Sequence, residues 1–457
     1  TYAVIGHELL KGRSLYSDLW DHKPPAIHIT FSIAEKIVGY GQSEIYFLGL
    51  VTALLTLLGI YRAGSLAGSG VAGGLWAAAI WTVISSDMIL QANLPNTEAF
   101  INAILIWTFL LLASSQPKMW HMNLAGILLA LGTLYKPQIV IFAFLFSAAS
   151  FFFMASRKRF LNTMKTSLRL TIPTLIAWTS CFYYFRRKHH LNDFWDTQFT
   201  FNRFYGGNLI SNLIKGFHPQ YLAPSFMWFL APVVLLMLVG FILSFRRLEK
   251  SWLFLAAYMA GVCFSVSVAG MFFRHYYQFW LPVLSVGGGW AIVMMGKRLK
   301  AFTQGLYLLP GILCIGFLIF YEAPNYLLDA NNWSIEKFDS SLFIKDKQLG
   351  DLLSRNLKPG QSFYLVGQEP SVYFYSRKSP PVGLVYTTPA TWGPLSNYLT
   401  AKLLTDLANA KPDVLIFYKS GYLTGTIPVQ RYHLLTSYPQ DQTFKIWGAG
   451  PVSINHF

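Results

Sequence analysis

The chain has 457 residues, 54% hydrophobic, 17% aromatic and only 12% charged, with a mean hydropathy of +0.40. Soluble domains carry about a quarter charged residues, so this composition excludes an ordinary soluble protein and points to a bilayer. The 36 Lys and Arg against 20 Asp and Glu give +16, an excess to be tested first as a topology signal rather than as a nucleic-acid footprint.

The chain opens on a polar loop, 1–43, holding "LYSDLWDHKPPAIH" at 15–28. Residues 24–40 are amphipathic and too short and polar to span; they predict a juxtamembrane helix along the outer interface. About ten segments then approach the ~20 apolar residues a crossing needs: 44–62, 71–90, 97–114, 122–135, 138–154, 168–186, 225–244, 252–270, 276–295 and 303–321. The pair flanking Lys136-Pro137 reads either as two short crossings or as one broken helix. "VGGGW" at 286–290 reads as a helix-packing feature, not a phosphate loop. Cys181, Cys263 and Cys314 fall in apolar runs and read as buried thiols. From 323 onward "NLKPGQSFYLVG", "PDVLIFY" and "TFKIWGAG" read as strands and 395–409 as a helix, so a C-terminal α/β domain, 323–457, is expected after a transmembrane domain over 44–322.

Alternate connections carry Arg62; Lys118; Arg157, Lys158, Arg159 and Lys165; Arg246, Arg247 and Lys250; and Lys297, Arg298 and Lys300. The positive-inside rule makes these cytoplasmic and turns 1–43, the turn around Asn93–Glu98, the Lys136 turn, the loop 187–224, the 271–275 turn and the C-terminal domain outward. The outward run Arg186–His190 breaks this bias, as headgroup-snorkelling side chains or as a contact for something anionic.

Ionisable groups gather on the outward side: Asp18, Asp21, His22 and Lys23, then Glu98, Lys136, Asp193, Asp196, Arg203, Arg274 and His275. Each alone reads as an interfacial anchor, but such groups near hydrocarbon are a functional signal when they share one face. Lys23, Lys136, Arg186 and Arg274 suit a phosphate or pyrophosphate, and a nearby carboxylate suits a general base. Asp21 and His22 with a third ligand are a weak metal signal.

"TYAVIGHELLKGRSLYSDLWDHKPP" resembles the first outward loop of GT-C class membrane glycosyltransferases, specifically the bacterial relatives of dolichyl-phosphate-mannose protein mannosyltransferases, which include the lipid A aminoarabinose transferase. Tyr2-Ala3, Leu9-Leu10, Gly12, Tyr16, Asp18 and Lys23-Pro24-Pro25 fit its pattern in order, and "NTEAF", "GTLYKPQ", "RHYYQFWLPVL" and "SVYFYSRKSPP" resemble later motifs. The resemblance implies a polytopic α-helical membrane protein that moves a sugar from a polyprenyl-phosphate donor to an extracytoplasmic lipid, glycan or protein. It implies that Lys23 and Lys136 contact the donor phosphate, with Arg274 or His275 as further candidates, and that Glu98 matches a second acidic position that orients the acceptor. Arg186 is added as a phosphate candidate and Asp21 as a catalytic one from the residues themselves. Tyr2, Asp18 and His22 are assigned to the acceptor or to support of the loop. The family's principal aspartate and first helix are expected just before Thr1. Where relatives carry an acidic residue that can join a divalent metal site, this chain has His22; no cofactor is assigned, and a divalent metal is left open. The expected setting is a bacterial inner membrane, with no nucleic-acid partner. A transporter of lipid-linked saccharide and a non-catalytic glycan-binding scaffold are the competing readings; the first predicts mid-bilayer charges and inverted repeats, whereas the charges are mostly at surface level and no repeat is found.

Overall fold

A computed structural model describes residues 1–92, 94–114, 117–153, 159–244, 249–300, 304–418, 423, 425–438 and 443–449. Four basic residues of the topology signal, Arg157, Lys158, Arg246 and Arg247, and Asn93 of the outward turn lie outside them. The chain packs into two compact units: Thr1–Ile45 with Tyr184–Tyr205 and Asp329–Phe457, and Tyr46–Tyr183 with Gly206–Leu328.

The first unit is built on a four-stranded mixed sheet of order β1-β2-β4-β3, with β1 Phe363–Val366, β2 Val414–Tyr418, β3 His433–Tyr438 and β4 Phe444–Gly448. β1 and β2 are parallel; β2–β4 and β4–β3 are antiparallel. Side chains alternate across the sheet. Phe363 and Leu365 face Leu349, Leu353 and Val4, whereas Tyr364 and Val366 face Leu403, Trp20 and Phe201. The opening loop is therefore part of this core. Its helices α1 (Tyr2–Leu10) and α2 (Ala26–Val38) pack on each other, and Ser32 Oγ donates to the Gly6 carbonyl at 2.8 Å. The expected helix at 24–40 is thus present, begun by Pro25 at a position where proline is tolerated. The segment 187–205, expected as loop, is a run of short helical turns.

The second unit is helical. α3 (Gln42–Gly64) and the helical stretches Ser225–Ser244, Lys250–Val268, Arg274–Lys300 and Leu306–Tyr326 are long and apolar enough to cross a membrane. α4 (Gly70–Ile84), α5 (Thr97–Ala113), α6 (Met119–Tyr135) and the stretch Pro137–Phe151 are shorter apolar helices. The expected segment 168–186 lies inside α7 (Arg159–Arg187). The chain is a multi-pass membrane protein. The basic connections meet one another at carbonyl ends: Lys250 Nζ donates to Ser114 O at 2.5 Å and Lys297 Nζ to Gly68 O at 3.0 Å.

The glycine run 287–289 lets helices approach closely. A Cβ on Gly289 would lie 2.7 Å from both Gly73 O and Ala77 N of α4, closer than any real side chain sits. Gly289→Leu is expected to push α4 away and cost about 1–3 kcal/mol, read as a lower thermal midpoint in detergent. Gly316→Ala, where a Cβ meets nothing within 4 Å, serves as the silent control.

In the sheet unit Asp346 is fully buried; Ser371 Oγ donates to its Oδ2 at 2.5 Å, and Oδ1 has no partner. Burial pushes this carboxyl up to about 7, with Glu369 adding to the rise and Ser371 opposing it. A folded-state value raised above the ordinary one near 4 gives stability that is whole below pH ~4 and is lost as pH climbs toward 7. Thermal melts across that window should fall for the natural chain, and Asp346→Asn should flatten the slope.

Candidate functional site

Each unit gathers its own set of ionisable side chains. In the helical unit, α5 begins at Thr97 after an extended Asn96 and sets Glu98 in its first turn, where a helix favours negative charge. The residue before a proline is driven out of the helical region. Lys136, before Pro137, accordingly adopts φ −149° and ψ 118° and ends α6. α6 and the 3-10 turn Pro137–Val140 are thus separate elements with Lys136 at the break. α5 packs along α6, stacking Phe100 on Tyr135 at 5.2 Å, and this brings Lys136 Nζ onto Glu98 Oε1 as a buried ion pair.

A third segment closes over the pair. The 3-10 helix Arg274–Phe279 packs on α5, with Asn102 Nδ2 donating to Gln278 O at 3.0 Å and Gln278 Nε2 donating to Leu90 O at 2.9 Å. It places the Tyr276 ring 3.9 Å and the Phe279 ring 5.7 Å from Lys136 Nζ, and His275 Nε2 4.0 Å from Glu98 Oε1. Thr97 Oγ1 donates to the other Glu98 oxygen at 3.0 Å. Glu98 is 1% and Lys136 6% exposed. Arg274 is exposed on the same short helix.

In the sheet unit the loop 15–25 is braced from several sides. Tyr16 sits at φ +73°, a conformation non-glycine residues adopt rarely. Its buried ring rests on Phe185 and Phe194, and its hydroxyl donates to the Lys23 carbonyl at 2.9 Å. Asp18 Oδ2 accepts from Ser14 N at 2.8 Å, so Asp18 serves the turn itself. Gln198 Nε2 donates to the carbonyls of His22 and Lys23 at 3.2 and 3.1 Å, and Asn202 Nδ2 to that of His22 at 2.9 Å.

Asp21, 2% exposed, is the hub. Its Oδ1 accepts from the Tyr386 hydroxyl at 3.1 Å and lies 3.4 Å from His22 Nδ1. Oδ2 faces the fully buried His28 Nε2 at 3.3 Å, close but off a hydrogen-bonding line. Burial alone would raise this carboxyl; His28 first, then the charges of His22 and Lys23, outweigh it and hold it well below the ordinary carboxylate range. Lys23 Nζ lies 2.7 Å from His22 Nε2 and 6.0 Å from the Tyr205 ring centroid. Tyr2 lies edge-on to His28 at 5.7 Å. Arg186 is exposed near the end of α7.

The structure therefore brings Glu98, Lys136 and His275 together in one unit, and Asp21, His22 and Lys23 in the other. Sequence reading missed His28, Gln198, Asn202 and Tyr386, as well as the Phe279 ring beside Tyr276 over Lys136. His28 alone carried a signal, six residues beyond His22 in the same polar stretch. Among the described residues no group of three or more His, Cys, Asp or Glu side chains is arranged to hold a metal ion.

A family model places this chain. It belongs to glycosyltransferase family 87, matched over residues 23–271, more than half the sequence. Its fold is similar to the crystal structure of ArnT from Cupriavidus metallidurans in the apo state, at TM-score 0.62 and 12% identity over 98% of this chain and 94% of that one. The undecaprenyl-phosphate-bound form of the same protein matches at TM-score 0.58 and 12% identity, over 99% and 93%. No curated protein matches it in sequence. The expected fold class is borne out: a family 87 member with a polytopic helical GT-C fold and a small C-terminal mixed sheet.

The Glu98–Lys136 pair yields a test of its own. Removing one partner of a buried ion pair strands the other and costs roughly 3–5 kcal/mol, whereas removing both costs far less. Lys136→Met should lower the thermal midpoint in detergent sharply, and Lys136→Met with Glu98→Gln should recover most of the loss. Additive losses in this cycle would show that the two groups do not depend on each other.

Proposed function

We propose that this family 87 glycosyltransferase takes its sugar from a polyprenyl-phosphate donor and delivers it to a lipid, glycan or protein acceptor on the outer face of a bacterial inner membrane. The observation that carries the reading is the match, over nearly the whole chain, to a protein crystallised with undecaprenyl phosphate. The alternation of basic connections supports the orientation, with Arg62, Lys118, Arg159, Lys165, Lys250 and Lys297 cytoplasmic.

In this reaction the bond between the sugar's anomeric carbon and the phosphate oxygen breaks, a new bond forms to the acceptor oxygen or nitrogen, and the acceptor's proton is removed. Charge develops on the departing phosphate, where a preorganised cation stabilises the transition state more than the ground state. Lys23 and Lys136 are assigned to that phosphate, with Arg274, His275 and Arg186 as auxiliary cations. Glu98 is assigned to the acceptor's proton or orientation. Phosphate would then displace Glu98 from the Lys136 ammonium, freeing the carboxylate as the ammonium gains a new counter-charge. Tyr2, Asp18 and His22 support the loop that carries Lys23.

The test uses the full-length protein in proteoliposomes with labelled undecaprenyl-phosphate sugars. Lys23→Ala and Lys136→Ala should each lower turnover ~100-fold or more, while Arg186→Ala lowers it only modestly. Undiminished turnover in Lys23→Ala would remove that lysine from the assigned role. Transbilayer movement of the intact lipid-linked sugar without transfer would replace the enzyme by a transporter.

A further inference from the structure

The lysine assigned to the donor phosphate is only half-buried, and a lysine side chain has the rotamer freedom to point elsewhere. What holds it is a chain of contacts ending at a carboxylate that is almost wholly enclosed. Lys23 Nζ approaches His22 Nε2 at 2.7 Å. An ammonium has hydrogens and no lone pair to offer, so this contact works only when His22 Nε2 carries the lone pair. The His22 proton then belongs on Nδ1, and Nδ1 is the nitrogen that lies 3.4 Å from Asp21 Oδ1.

The geometry points to Asp21 as a positioning residue: through its carboxylate it selects the Nδ1–H tautomer of His22, which turns the Nε2 lone pair toward Lys23 and aims the ammonium.

The surroundings fit that role better than direct chemistry. Asp21 is 2% exposed, and the Tyr386 hydroxyl and the Lys23 backbone N–H, at 3.1 and 3.4 Å, also converge on Oδ1. His28 closes the Oδ2 side at 3.3 Å. The hydroxyl and N–H donors and the nearby lysine charge keep the carboxylate ionised, a poor proton acceptor and a good anchor. Trp20, Phe201 and Tyr205 surround the His22 ring at 6.3, 5.8 and 5.0 Å between centroids. Rings this close restrict its rotation, while Gln198 and Asn202 hold the carbonyls of residues 22 and 23. Imidazole tautomer follows what faces the other nitrogen, and the Asp21 carboxylate, 3.4 Å from Nδ1, favours a proton there by charge.

This inference rests on the phosphate role of Lys23, and the experiment separates the two. ¹⁵N NMR of histidine-labelled full-length protein in nanodiscs, with the His22→Gln spectrum subtracted, should show His22 protonated at Nδ1. An Nε2–H tautomer overturns the proposal whatever the activity. His22→Gln keeps an acceptor for Lys23 and should retain turnover within ~3-fold, whereas His22→Phe removes it and should lose ~10- to 100-fold in kcat/KM for the lipid donor. Asp21→Leu should match the His22→Phe loss. Where Asp21→Leu does not fold, the Gln and Phe pair decides alone. Equal turnover in the Gln and Phe variants overturns the positioning role. If at the same time Lys23→Ala is inactive, the phosphate reading survives; if Lys23→Ala is fully active, that reading fails and the tautomer result stands separately.

Discussion

Taking an ionised carboxylate out of water is costly unless donors or cations replace the lost solvent, and two carboxylates here are removed almost completely. Glu98 and Asp21 expose 1% and 2% of their surface. The chain meets the cost in two ways. Glu98 is compensated chiefly by one ammonium, and a threonine hydroxyl and the start of a helix complete its surroundings. Asp21 is compensated by a tyrosine hydroxyl, a backbone N–H and two facing imidazoles. Much of the local backbone follows from these needs. Lys136 reaches Glu98 because Pro137 ends a helix at that residue, and Asp21 keeps its neighbours because residues 15–25 are braced by buried side chains.

These two solutions differ in how easily they are undone. A pair made of one carboxylate and one ammonium can exchange partners: an incoming anion for the lysine releases the carboxylate, and the net charge of the group becomes more negative by only the charge that arrives. A hub fed by four groups cannot be exchanged that way, because each donor has its own packing reason to stay. Under the proposed chemistry the exchangeable pair belongs to substrate handling and the hub to support. The difference is visible in which group has several fixed partners.

Much of the helical architecture was legible because apolar length and local breakers are properties of contiguous sequence. Lys136-Pro137 announced its break, the glycines 287–289 announced close packing, and "PDVLIFY" announced a strand. The site was legible only as a roll of polar residues. Glu98 and Lys136 lie in different helices, and no periodicity says that those helices place their ends together. Gln198, Asn202 and Tyr386 carry no signal of their own, since amides and phenols are common on any outward loop, and their value lies in reaching carbonyls or a carboxylate from distant segments. The run 187–205 read as a loop because its turns are too short to show a helical period.

The high aromatic content is more than a means of meeting lipid. Tyr276 lies 3.9 Å from the Lys136 ammonium, and Tyr205 lies 6.0 Å from that of Lys23. A ring face attracts a cation through its quadrupole without carrying a counter-charge. A second carboxylate in that place would bind the lysine more firmly and would also repel any anion approaching it. An aromatic wall beside Lys136 steadies the buried cation and leaves its charge available, which is the property the proposed chemistry asks of that lysine.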